Sequence, residues 1–479
     1  MDIVPNSNSG RCLVYASTYA KLDSSVIDGG GTDDTDAIQA ILDKAPEWGG
    51  LHLVMDGAAL VRGLDVYSNT TIECENKDCG FFLASDSNRS IIQNAHLDFK
   101  TRNDRNITLL GGTYNHNCLG QEHHVLLQEP SGETKEKWVI AMEFYGVEHL
   151  TMRDVTIRNQ RTFAMLLANW YRVTMENITI ELPDNLYGQN QDGIHFFGPG
   201  QFLTMRNIMG EAGDDFIALA PDEHDSVSDI TDVLIDGVFL NNADQGIRML
   251  SRDKGRLDRV TVRNVTGTFK SFGFYINPWF PGGAGNFGNI TIENVDLRQT
   301  KHKYDYTTPF LFRLGGRIET ITLRNITHHA PSAPLRLLDV GIPFYTDIDE
   351  HAAEYCRICN LIIDGFQIYE EDNCPADTEY IKVLCPIESM VIRDAHIRRG
   401  QHAEAGCLVA TAEQADIKCL HISNVIASGL PTLVDHAAGK IGTLCFHDVL
   451  CADGVHRLLT GDGEVGSVCA DAVHGAEVG

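Results

Sequence analysis

One short pattern of apolar and polar positions recurs along most of the chain. It runs apolar, any residue, apolar, polar, then Asn, Asp or Gly, then apolar again. Leu150 to Val155, Val173 to Ile178 and Leu203 to Ile208 are three copies, and Val260 to Val265 and Ile290 to Val295 are two more. The Asn/Asp/Gly position falls at Gly112, Asp154, Asn177, Asn207, Gly237, Asn264, Asn294, Asn325, Gly365, Asp394, Asn424 and Asp448. Alternation with a period of two marks a strand with one buried face. Successive copies lie mostly in the twenties to low thirties of residues apart, as with the 30 between Asn177 and Asn207. A fixed period of that size indicates stacked supersecondary units. The unit holds β-branched strands and turn residues and no helical stretch, which excludes helical solenoids and leucine-rich repeats. The pattern predicts an all-β chain, a right-handed single-stranded parallel β-helix in which each copy is one coil. The two intervals of about 40 residues are coils carrying a long loop.

An open solenoid end exposes strand edges and needs a cover. Asp33 to Lys44 supplies one. Asp33, Asp34 and Asp36 suit a helix N-terminus, where negative charge is favoured. Ile38, Ile41, Leu42 and Ala45 recur at helical spacing on one face. Pro46 and Gly49-Gly50 are expected to stop the helix. Residues 1–60 are therefore assigned to an N-terminal segment with a capping helix, and residues 61–479 to a single continuous parallel β-helix. No cap is evident past Cys469.

Each marker is followed by a second strand, and these align by hand from coil to coil. Gln191 to Phe197, Asp214 to Ala220, Asp244 to Leu250 and Ser271 to Asn277 stand in one register. Neighbouring parallel strands lie about 4.8 Å apart, so aligned residues form columns. One column is Gln191, Asp214, Asp244 and Ser271, and the next is Asp192, Asp215, Gln245 and Phe272. A third, of His195, Ala218, Arg248 and Tyr275, is expected to face solvent. Asp192, Asp214 and Asp215 thus fall within several ångströms on adjacent coils, with Asp244 nearby. Crowded carboxylates repel, which holds a proton on one of them at neutral pH. The spacing leaves open whether they do chemistry or are turn aspartates that bind backbone or calcium.

Composition narrows the partners. The chain has 479 residues with 38 Lys plus Arg against 66 Asp plus Glu, a net charge of −28. So acidic a surface argues against nucleic acid and anionic membranes. No apolar run approaches the roughly 20 residues of a membrane span. The 13 cysteines are an odd, scattered set and are expected to be reduced and buried. Cys356 and Cys359 form one CxxC, too little alone for a zinc knuckle, and no metal or cofactor is expected. The absence of a visible signal peptide, with those thiols, suggests a cytoplasmic enzyme. Oligomeric state is not legible.

Asn190-Gln-Asp-Gly193, Gly213-Asp-Asp215 and Gly246-Ile-Arg248 resemble three motifs of glycoside hydrolase family 28, the polygalacturonase-like family of the pectin-lyase-like β-helix superfamily. The opening Gly31 to Ile38 is similar to the entry segment of many β-helix carbohydrate enzymes. The resemblance covers roughly residues 25–330. It implies an inverting hydrolase of a plant- or microbe-derived poly- or oligosaccharide, with Asp214 as the acid and Asp192 and Asp215 activating water. It implies that Arg248 orients substrate. His195, Asp244, Tyr275 and Trp279 are assigned to substrate binding beside it, and Asn169 to Tyr171 could wall the opposite side. Two departures stand out: no Gly-His-Gly follows the aspartate pair, and the family's lysine falls on Leu250. A polysaccharide lyase, a uronate epimerase and a non-catalytic carbohydrate-binding β-helix are the alternatives.

Overall fold

In the computed structural model, the described residues are 3, 12–128, 134–184, 190–278, 283–302, 308–330, 336–342, 356–370, 378–399, 406–452 and 457–477. They form a parallel β-helix, with strands pairing coil to coil. The chain divides into two compact units, Met1–Ala218 and Leu219–Gly479.

In the first unit, the strands Cys12–Tyr15, Leu51–Met55, Thr70–Cys74 and Asp104–Leu110 pair in parallel succession. Met142–Arg153, Met165–Glu181 and Gly200–Gly210 continue the stack. The helix Thr35–Leu42 is inserted between the first two strands. Its Ile38, Ile41 and Leu42 are fully buried, as the helical spacing requires. Pro46 does not end the helical segment. It sits in the first turn of a second short helix, Ala45–Trp48, where its missing N–H costs nothing. Gly49, at φ 74°, ends that helix.

In the second unit, Ile230–Leu250, Leu257–Asn277, Phe287–Gln299, Arg317–Ala330, Arg357–Glu370, Pro386–Arg399, Asp416–Ser428, Lys440–Cys451 and Glu464–His474 are stacked in parallel. The stretch after residue 330 is thus the same stack and no separate sandwich. Inward positions build continuous apolar columns. One runs Val233, Val260, Ile290, Ile321, Leu361, Met390, Leu420, Leu444. Each such buried side chain contributes about 1.5–3 kcal/mol of transfer free energy.

The repeated Asn/Asp/Gly has a backbone cause. All twelve marker residues have positive φ, between 50° and 82°. That left-handed conformation is open to Gly and tolerated by Asn and Asp. The asparagines also ladder: Asn325 Nδ2 donates to Asn294 Oδ1 at 2.8 Å, and Asn294 to Asn264 at 3.0 Å. One coil further than the last marker, Ala472 takes the same conformation at φ 53°.

The cysteines depart in part from the expectation of free thiols. Cys445 and Cys469, register partners on the last two coils, form a disulfide. Ten others are free among the described residues, most of them buried. Among the described residues no helix is long and apolar enough to cross a membrane, and no cluster of three or more His, Cys, Asp or Glu could hold a metal ion.

Candidate active site

The aspartates of the first unit are set by the turn before the strand Ile194–Phe197. Asn190, at φ 57°, swings the chain into Gln191 and Asp192. The Gly193 N–H then donates to the Asp215 carbonyl at 2.8 Å, and the Gly213 N–H to the Gln191 carbonyl at 2.9 Å. These two bonds put the Asn190–Gly193 turn and the Gly213–Asp215 segment on neighbouring coils. A Cβ at residue 193 would lie 2.2 Å from the Phe216 carbonyl oxygen, so only glycine permits that approach.

The three carboxylates have different surroundings. Asp192 is 3% exposed. Its Oδ2 lies 2.9 Å from His195 Nδ1. Its carbonyl accepts the Ala164 N–H at 3.0 Å and Gln160 Nε2 at 3.2 Å. Asp214 and Asp215 are half-buried, and Asp214 Oδ2 accepts the Asn190 N–H at 3.2 Å. The first unit therefore brings together Asp192, Asp214, Asp215 and His195.

His195 does not face solvent as its column was expected to. It is 5% exposed. Phe163 stacks on its ring at 4.9 Å and 12°, and Phe197 meets it edge-on at 5.0 Å. Trp138 packs edge-on against Phe163 at 5.0 Å. Trp138 ends the antiparallel hairpin His124–Gln128 and Thr134–Trp138, which belongs to the long insertion after Tyr114. Trp170, offered above as a cleft wall, is fully buried, and its Nε1 donates to the Phe197 carbonyl at 3.0 Å. Indole in the solenoid interior serves packing.

In the second unit, Asp244, Arg248 and Tyr275 are likewise buried rather than at the surface. Ser271 Oγ donates to Asp244 Oδ1 at 2.9 Å. Arg248 lies over the Tyr275 ring at 4.0 Å, and the two are register partners. Burial pushes the Tyr275 phenol upward, and the nearby Arg248 and Arg313 cations oppose that shift. Stacking of the Arg248 guanidinium on the Tyr275 ring accounts for the burial of that pair. Leu250 is buried and pairs in register with Asn277. Trp279 lies outside the described residues.

Three groups on these faces were missed. Arg313 is the register partner of Tyr275, and Asp339 is the partner of Arg313. They form a fully buried ion pair at 3.0 Å. Extending the Arg248–Tyr275 column by two coils would have found both. The third, Glu143, is two coils before His195 in its column. Its carboxylate accepts from Ser90 at 2.7 Å, Tyr145 at 2.7 Å and Lys137 at 2.9 Å.

Residues 92–307 match the family described as Glycosyl hydrolases family 28. This segment is similar to family 28. The matched segment contains Asp192, Asp214, Asp215 and Arg248, and it supports a glycoside hydrolase. Among solved structures, the chain is similar to a hyperthermoactive exopolygalacturonase from Thermotoga maritima. Identity there is 13%, coverage is 94% of this chain and 93% of that one, and the TM-score is 0.50. It is also similar to the tailspike protein of E. coli bacteriophage HK620 in complex with a hexasaccharide, at 10% identity, 92% and 76% coverage and a TM-score of 0.54. A third is the N-terminal fragment of bacteriophage Phi29 gene product 12, at 15% identity, 97% and 72% coverage and a TM-score of 0.53. At such identities the likeness is one of fold, and fold alone does not assign chemistry.

Proposed function

We propose that this chain is an inverting glycoside hydrolase acting on a poly- or oligosaccharide. The observation that carries the reading is the carboxylate trio on adjacent coils, inside the family-matched segment, with one member buried against a histidine and two half-exposed. Inverting hydrolysis needs a protonated carboxyl on the leaving oxygen and a carboxylate that activates water from the opposite face, roughly 6.5–9.5 Å away. Asp214 is assigned as the acid, and Asp192 with Asp215 as the water-activating pair. Arg248 carries the substrate-orienting part of the proposal, with no metal or cofactor.

The substrate is a glycan other than unsubstituted polygalacturonate: neutral, capped or rhamnose-containing. Leu250 stands where the family has a lysine, and the net charge of −28 repels a polyanion. A glycan panel tests the reading, with reducing ends and ultraviolet absorbance followed together. Reducing ends that rise without absorbance support hydrolysis. New absorbance would make the chain a lyase, and binding without either signal would make it a carbohydrate-binding module. Nuclear magnetic resonance of the first-formed anomer checks inversion, and a retained anomer would remove the two-carboxylate water mechanism.

A further inference from the structure

The environment of Asp192 assigns a task to His195. We infer that His195 is a positioning residue: its Nδ1–H, clamped by the Phe163 and Phe197 rings, keeps Asp192 ionised and fixed as the water-activating base. The inference rests on the hydrolase reading and deepens it.

The donor direction follows from chemistry. An ionised carboxylate only accepts hydrogen bonds, so Nδ1 must carry the proton across the 2.9 Å contact. A bond donated to the charged form favours that form. Asp192 needs such a donor. It is 3% exposed, and desolvation alone would favour its neutral acid. The following coil brings Asp215, whose carbonyl takes the Gly193 N–H, and Asp214 beside Asn190. Like charges on a neighbouring coil disfavour a charge on Asp192. The preceding coil offers Leu166 as the register partner of His195. The next one back offers Glu143, already bonded to Lys137. His195 Nδ1, 2.9 Å from Asp192 Oδ2, supplies a donor that opposes these effects.

The ring is also held in place. Phe163 covers one face at 4.9 Å, Phe197 closes an edge at 5.0 Å, and Trp138 backs Phe163 at 5.0 Å. A side chain locked by packing keeps a reacting group within the narrow tolerance that catalysis needs. His195, Phe163 and Trp138 thus form a relay of contacts from the hairpin to the base. In the acid–base pair, the carboxyl held by the imidazole donor stays charged and the other keeps the proton, which accords with Asp192 as base and Asp214 as acid.

The test compares pH profiles of kcat/KM on a cleaved glycan for wild type, His195→Leu, His195→Asn and Phe163→Leu. Hydrogen bonds to charged groups correspond to about 1–2 pH units. The acid limb of His195→Leu should move to higher pH by about that much. Asn places an amide N–H near the Nδ1 position, so His195→Asn should restore most of the profile. Phe163→Leu should lower kcat several-fold with little change in KM. An acid limb of a folded His195→Leu that coincides with wild type would overturn the inference. If that variant does not fold, Phe163→Leu decides: an unchanged kcat in the folded variant would overturn the inference. Imidazole nitrogen resonances read the pair without activity, even if no glycan is cleaved and the hydrolase reading falls. A proton on Nδ1 whose signal moves in Asp192→Asn supports the pairing. A neutral ring protonated only at Nε2 overturns it.

Discussion

Two columns of side chains run along this β-helix, and they follow opposite rules. At the turns, the left-handed position is filled coil after coil by Asn, Asp or Gly, and the asparagines bond to one another. On the second strands, aligned outward positions change at every coil: Arg248, Tyr275, Arg313, Asp339 and Lys382 in succession. The turn column needs the same backbone geometry each time, so one residue type recurs. The second column needs no common backbone geometry and can differ for packing, pairing or chemistry. Repetition therefore marks what holds the stack, and departure from repetition marks where a site can be built.

The comparison can be broken or sharpened by substitution. The largest effect is expected at the carboxylates. Asp214→Asn keeps shape and removes the acid, so kcat should fall by about 10²–10⁴-fold on glycans with poor leaving groups. It should fall less on aryl glycosides, while Asp192→Asn and Asp215→Asn impair both. Wild-type turnover by folded Asp214→Asn would return the trio to turn aspartates.

Next is the buried pair. Asp339→Ala removes the carboxylate paired with the fully buried Arg313, and should cost about 3–5 kcal/mol in denaturant unfolding. A loss below 1 kcal/mol would mean the pair is solvated.

Acid should act through two buried histidines. Burial lowers His328 from the ordinary 6.5 of an imidazole to about 3 and His116 to about 4. His116 Nε2 faces the Arg89 carbonyl and Nδ1 accepts the Arg161 N–H, so a second proton would break that bond. The folded values lie below the unfolded ones, so the unfolded chain binds more protons between them. Stability is then full above pH 6.5 and is lost as pH falls towards 4 and 3. By pH 5 each should remove about 2 kcal/mol. His328→Leu should flatten part of this slope, and an unchanged slope would exclude His328.

A smaller loss is expected in the ladder. Asn294→Ala forces alanine into a left-handed turn and cuts two side-chain bonds, at about 1–2 kcal/mol, with kcat unchanged. A change in kcat would show that the two columns are not separable.

The smallest effect is a gain. Ala472, at φ 53°, occupies the ladder position with the wrong residue. Ala472→Gly should stabilise the last coil by about 1 kcal/mol, read as a raised melting temperature.

The sequence by itself determined the β-helix, the capping helix face and the register of the aspartates. All three rest on local periodicity: a strand's alternation, a helix's spacing, and a left-handed turn that admits few residue types. The aspartates were legible because strand stacking converts sequence period into spatial adjacency. Tertiary structure alone decided which outward residues are buried. His195 sits under Phe163 from the preceding coil, and the Trp138 that backs it comes from a hairpin inside an insertion that breaks the period. Arg313 and Asp339 meet through coils whose loops differ in length. The Cys445–Cys469 disulfide likewise depends on two thiols in register on the last coils. Such contacts arise from what insertions fold back upon, and periodicity carries no information about that.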